Sequence, residues 1–230
     1  MIKTRIMMSL IGIIAVLIIG IFSFFISHEL VDTITGKTTT ARAYILETVS
    51  ENCTVHFQEG LNMVSFPCET GEYELHQALV NVENETLDFE YIFVFNPLNT
   101  EKPWRSYNPN LPNWTIQGNI NNLNRAYGYF IYMNEEDTYF KDGLRFGTTN
   151  IQLRNGWNLI GYPSATITNI TDALSAINNH YSSVHSYQLV DGSLTWLDHF
   201  KEEENTLEYF TPEYGYWIYA NESALWVVQW

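Results

Sequence analysis

The chain has 230 residues, with 26 Asp and Glu against 11 Lys and Arg, for a formal net charge of −15. So few cations cannot neutralise a run of phosphates, which excludes nucleic acid as a partner and fits a soluble, self-repelling surface. Aromatic residues make up 15 %, a composition that favours β structure and gives large apolar side chains to one or two small domains.

The first element in chain order is Ile6 to Ile26, an uncharged run of apolar and small residues. Wound as a helix it matches the roughly 30 Å hydrocarbon core of a bilayer. Lys3 and Arg5 precede it, and His28, Glu29 and Asp32 follow it. The positive-inside rule then puts the N-terminus in the cytoplasm and the rest outside, anchored in the lipid bilayer through residues 6–26. The rival reading is a cleaved signal peptide. Phe24-Phe25-Ile26 is a poor approach to a small-x-small cleavage site, and Ala41-Arg42-Ala43 lies too far downstream. Residues 28–52 form a stalk expected to be partly helical. Leu30, Ile34, Ala41, Tyr44, Ile45 and Val49 fall near helical spacing, interrupted at Gly36 and Thr38–Thr40.

An internal repeat fills the remainder. VHFQEGLNMVSFPC (Val55–Cys68) matches IQLRNGWNLIGYPS (Ile151–Ser164), and YGYFIYMNE (Tyr127–Glu135) matches YGYWIYANE (Tyr214–Glu222). Each copy begins with a predicted hairpin turning at Gly60 or Gly156 and followed by Pro67 or Pro163. A short amphipathic helix comes next, with Leu75, Ala78, Leu79 and Val82 in copy one and Ile170, Ala173, Leu174 and Ile177 in copy two. Thr168 or Asn169 is placed to cap the second helix. An aromatic strand (Glu90–Phe95; Val184–Leu189), a segment around Trp104 or Trp196, the YGY strand and a closing strand (Thr138–Phe140; Leu225–Val228) complete the unit.

Cys53 and Cys68 bracket the first hairpin. Pairing 57 with 64 and 55 with 66 sets 53 opposite 68, so a cross-strand disulfide is expected, consistent with export from the cytosol. Asn52, Asn84, Asn113, Asn169 and Asn221 stand in N-x-S/T sequons and are the candidate glycosylation sites. The copies align at an offset of 96 in the hairpin, 95 in the helix and 87 in the YGY strand, which places about eight extra residues of copy one between Asn96 and Asn121. That stretch holds four of the seven prolines and reads as a surface loop. Trp104, Arg105, Tyr107 and Trp114 are its candidate ligand-binding residues. Trp196 is the counterpart of Trp104, whereas Trp114 has none.

GWNLIGYP followed about 50 residues later by GYWIY resembles a tandem β-rich repeat domain of archaeal and bacterial secreted and surface-anchored proteins. The resemblance covers both copies, from about 55 to 227. Copy one departs from it with Leu61 at the position of Trp157 and Phe130 at that of Trp217. It implies a β-rich, non-catalytic surface domain.

The YGY strand has apolar residues on both faces and reads as a central core strand, more readily than as a sugar-stacking one. Asn62 and Asn158, alone in apolar strands, are expected to satisfy the backbone of a neighbouring turn. His180, His185, Asp191, Asp198 and His199 lack metal-site spacing and have no counterparts in copy one, so no metal or cofactor is expected. The nucleophile elbow, Walker A and dinucleotide fingerprints are absent, which points away from an enzyme.

The expected fold is mainly β (β-rich α+β). A transmembrane signal anchor (1–27) and the stalk (28–52) lead to two β-sandwich or barrel-like repeat domains (53–147 and 148–230), each with one short helix. The expected function is a single-pass cell-membrane glycoprotein with extracellular structural or adhesive domains that contact surface proteins or glycans. The alternatives are a filament or pilin-like subunit self-assembled through the N-terminal helix, and an accessory carbohydrate-binding protein.

Overall fold

The computed structural model describes residues 33–34, 37–38, 49–68, 75–79, 87–111, 120, 122–145, 147–201 and 205–229. The expected membrane helix lies outside them, as do Trp114, Asn84 and Asn113. Among the described residues no helix is long and apolar enough to cross a membrane. The chain divides at Ile45/Leu46 into two units. In the first, β1 (Thr33–Ile34) pairs antiparallel with β2 (Lys37–Thr38). These four residues are therefore extended, and the rest of the expected stalk before Val49 lies outside the described residues. The strand that leads into the first repeat begins at Val49.

Leu46–Trp230 is one compact, mainly β unit. Copy one contains β3 (Val49–Phe57), β4 (Gly60–Ser65), a helical turn Leu75–Ala78, β5 (Phe89–Phe95), β6 (Trp104–Tyr107), β7 (Gly128–Met133) and β8 (Asp137–Arg145). Copy two repeats this as β9 (Thr148–Leu153), β10 (Gly156–Gly161), a short β11 (Thr168–Asn169), helical turns over Ile170–Ala173 and Ser175–His180, β12 (Tyr181–Val190), β13 (Ser193–Phe200), β14 (Tyr209–Phe210), β15 (Gly215–Ala220) and β16 (Ala224–Gln229). Asn169 caps its helix by accepting a hydrogen bond from the Thr171 N–H at 3.0 Å.

The predicted hairpins are corners. β3 pairs with β8 and β4 with β7, while β9 pairs with β16 and β10 with β15. Each segment around Gly60 or Gly156 thus passes from a two-stranded ribbon into a four-stranded sheet. The sheets have the order β4-β7-β5-β6 and β10-β15-β12-β13. Gly60 and Gly156 have φ of +91° and +96°, a region that L side chains avoid. Inside each corner a buried Asn satisfies the backbone. Asn158 Oδ1 accepts from the Arg154 N–H at 2.8 Å, and its Nδ2 donates to the carbonyls of Arg154 (2.8 Å) and Gly156 (2.9 Å). Asn62 makes the same three bonds to Gln58 and Gly60. The disulfide between Cys53 and Cys68 is present, with a Cα–Cα distance of 6.1 Å, and it ties the ribbon to the end of the sheet strand.

Each copy buries one core between its ribbon, helical turns and sheet. Val55, Phe57, Leu75, Leu79, Ile92, Ile131 and Tyr139 meet in copy one; Ile151, Leu153, Ile170, Leu174, Val184, Ile218 and Trp226 meet in copy two. From the helical stripes read in the sequence, Leu75 and Leu79 join the first core and Ile170, Leu174 and Ile177 the second, while Val82 lies outside the described residues. The YGY strands are central in their sheets, as expected, but only one face of each is core. Tyr129, Ile131 and Met133 are buried, as are Tyr216, Ile218 and Ala220, whereas Phe130, Tyr132, Trp217 and Tyr219 are partly or fully exposed.

The copies join about an approximate two-fold. Val64 bridges Tyr214 while its counterpart Ile160 bridges Tyr127. The Ser65 N–H donates to the Glu213 carbonyl at 2.9 Å, and the Gly161 N–H to that of Ala126 at 3.1 Å. Backbones approach so closely here that a Cβ on Gly161 would lie 2.4 Å from both the Arg125 carbonyl and Ser65 Oγ. Ser65 is the residue equivalent to Gly161, so only one of the pair has room for a side chain.

Candidate functional site

The outer faces of the two sheets converge on Trp217. Its ring lies 5.4 Å from Phe95, 6.0 Å from Trp104, 6.4 Å from Phe130 and 6.1 Å from Trp157, so it contacts aromatics of both copies. Strand alternation explains the face. With the odd positions of β7 in the core, Phe130 and Tyr132 must point outward, and β15 does the same with Trp217 and Tyr219. Two adjoining clefts result. One, of about 570 Å³, is lined by Trp157, His185, Trp196, Asp198 and Trp217; the other, of about 480 Å³, by Leu61, Tyr91, Phe93, Trp104, Phe130 and again Trp196.

Trp104, Trp157 and Trp196 are 50, 46 and 49 % exposed. Leaving half of an indole in water forgoes about 2–3 kcal/mol of hydrophobic burial each. Contiguous exposure on this scale marks a contact surface rather than scattered surface apolarity.

One cross-strand row differs between the copies. In copy two Leu159, Trp217, His185 and Asp198 lie side by side across β10, β15, β12 and β13. The same row of copy one reads Met63, Phe130, Phe93 and Ser106. Only copy two has an imidazole and a carboxylate there. His185 Nδ1 meets Asp198 Oδ1 at 2.5 Å, and its Nε2 meets Ser183 Oγ at 2.9 Å. Both ring nitrogens therefore have a hydrogen-bond partner. The trio has the bond order of a Ser-His-Asp triad. Ser183, however, is buried and does not line the cleft, so the bonds orient His185 and Asp198 without presenting a nucleophile.

Of the four expected binding residues the structure describes Trp104, Arg105 and Tyr107, and it separates them. Trp104 stands on the outer face, in register with Phe95 as Trp196 is with Tyr187, which makes the two tryptophans structural equivalents. Tyr107 packs against the copy-one core, its ring 6.3 Å from Phe89. Arg105, two residues away on β6, takes the same parity and so leaves the outer face to Trp104 and Ser106. The surplus of copy one is also divided. The offset between copies is 95 at the helix, 92 at β5 and β12, and 87 at the YGY strand, so three extra residues precede β5 and five follow β6. The turn from Asn96 to Pro103 is no longer than its copy-two counterpart. It is closed by the Asn96 N–H donating to the Pro103 carbonyl at 2.8 Å. Trp157, Trp196, Trp217, His185 and Asp198 were absent from the expected binding set. Their signal was the outward parity of the strands, hidden by residues that are apolar at both parities.

Of the described sequon residues, Asn221 is exposed in the turn between β15 and β16, and the side chain of Asn169 is engaged in its helix cap. Asn52 lies on β3. Among the described residues no cluster of three metal-ligating side chains occurs. No family model, curated protein or solved structure matches this chain.

Proposed function

We propose that this chain is a membrane-anchored cell-surface protein whose two tandem repeat domains bind glycan chains, without catalysis, in the aromatic cleft they share. The observation that carries the reading is the set of three half-exposed indoles, Trp104, Trp157 and Trp196, placed around Trp217 on one continuous outer face. Pyranose rings present apolar C–H faces to such rings and hydroxyls to groups like Asp198 and His185. Trp196 lines both clefts, so the groove accommodates several consecutive sugar units and not a single small molecule. The rings meet at steep angles, 81° between Trp157 and Trp217, which suits a single chain held on more than one side better than a flat polysaccharide surface. The cell-surface placement is supported by the apolar run Ile6–Ile26, its flanking charges and the disulfide.

The test is a glycan array probed with the full-length chain in a polyoxyethylene detergent, which itself contains no sugar. Binding to at least one oligosaccharide class is expected, weakened tenfold or more by Trp157→Ala and by Trp196→Ala, with melting temperatures nearly unchanged because both side chains are half in water. Retention of no glycan, or binding undiminished in both variants, overturns the reading. In the latter case a partner that avoids this face is responsible.

A further inference from the structure

We infer that the copy-two end of the cleft is a site for an alkylammonium cation. The inference rests on this face being a binding face, as in the glycan reading, but assigns a charged group to one end of it. Trp157, Trp196 and Trp217 line that end together with the Asp198 carboxylate, and no Lys or Arg lines it among the described residues. The faces of aromatic rings carry negative potential, and a cation held among several of them is attracted by each. The steep 81° angle between Trp157 and Trp217, whose centroids are 6.1 Å apart, makes walls for a compact cation.

The carboxylate supplies the second observation. Asp198 Oδ1 is held by His185, which is in turn held by Ser183. That chain of bonds fixes the carboxylate in place beside the indoles. Asp198 is half exposed, and its second oxygen remains available to a ligand's N–H or to simple charge attraction. The repeat provides an internal comparison. At the equivalent positions copy one has Tyr91, Phe93 and Ser106, none of them a carboxylate or imidazole, although the fold of the sheet is the same. The polar trio is therefore no requirement of the scaffold. The chain's net charge of −15 further raises the local concentration of cations.

An alkylammonium group could reach this site as a choline-type headgroup or as the amine of an amino sugar within a glycan. The shared chemistry is a positive, apolar-skirted nitrogen. The experiment is tryptophan fluorescence titration of the full-length chain in the same detergent. The probes are choline, its neutral isostere 3,3-dimethylbutan-1-ol, and a glucosamine trimer with and without N-acetylation. Choline or the free-amine trimer is expected to bind at least tenfold tighter than its neutral counterpart, and the tighter of the two identifies the source. Asp198→Asn should remove most of that preference, read as the ratio of charged-probe to neutral-probe affinity. His185→Phe with Asp198→Ser, which installs the copy-one residues, should do the same without loss of fold. Equal binding of charged and neutral probes, or a preference that survives Asp198→Asn, overturns the inference. If neutral sugars bind while neither cation is preferred, only this inference falls. If cations bind and no sugar does, the glycan reading falls instead.

Discussion

His199 shows how a single residue can set a pH response. It is buried on β13, with its Nδ1 3.1 Å from the Leu207 carbonyl. Burial pushes its pKa below the ordinary histidine value, opposed by that hydrogen bond. A histidine that resists protonation when folded takes up its proton more readily when unfolded. Its contribution to stability is therefore present at neutral pH and is lost as pH falls through the ordinary histidine range towards the folded value. The melting temperature should fall between pH 7.5 and pH 5, and His199→Gln, which can still donate to Leu207, should flatten that dependence. An unchanged pH slope in the variant would assign the effect elsewhere. The sequence displayed His199 only as one of six scattered histidines. Its burial follows from the parity of β13, which no local pattern announced.

At the scale of elements, the corner is where the sequence was most nearly legible. The glycine with a lone Asn two residues on, in otherwise apolar surroundings, pointed to a turn that needs internal hydrogen bonds. Gly60 with Asn62 and Gly156 with Asn158 fulfil this. The partner strands were misassigned, because alternation on either side of a tight turn looks alike in a hairpin and in a corner. What differs is whether the flanking strands satisfy each other's backbone, and here β8 and β16 arrive from far along the chain to pair with β3 and β9. The disulfide survived the change, since both arrangements bring residues 53 and 68 together. It should contribute about 3 kcal/mol in the chain-entropy account. Asn158→Ala leaves the Arg154 N–H and two carbonyls without their partner in a buried corner. A loss of about 2–3 kcal/mol is expected, read as a lower urea midpoint at constant slope. A loss below 0.5 kcal/mol would mean that water replaces the side chain there.

Across the whole molecule, two cores are joined into one unit by backbone contacts about the approximate two-fold. The glycines of the YGY and GWNLIGYP motifs matter there because they let the two copies' chains touch. Gly161→Ala should force the junction apart, at about 1–3 kcal/mol by analogy with overpacked cores. The change should also speed hydrogen exchange of the Ser65 amide, which lies in the other copy and bonds to Glu213. Unaltered exchange at Ser65 would show that the junction tolerates a methyl group. Two phenols mark the same symmetry. Tyr129 and Tyr216 lie buried with their hydroxyls accepting from the Asn124 and Thr211 N–H groups, and burial raises both pKa values.

The sequence by itself determined the duplication, the β-rich character, the amphipathic helical stripes, the disulfide and the buried asparagines. Each of these depends on residues close in the chain, or on a pattern that recurs at a fixed offset. It did not determine which strands pair, because pairing is decided by which distant partners complete the backbone hydrogen bonds and close a core. Nor did it reveal the aromatic cleft. Tyr, Phe and Trp occupy both parities of the YGY strand, and composition cannot tell a buried ring from an exposed one. Only the packing of ribbon and helix against one face of each sheet, and of copy against copy, left Trp104, Trp157, Trp196 and Trp217 facing a shared groove.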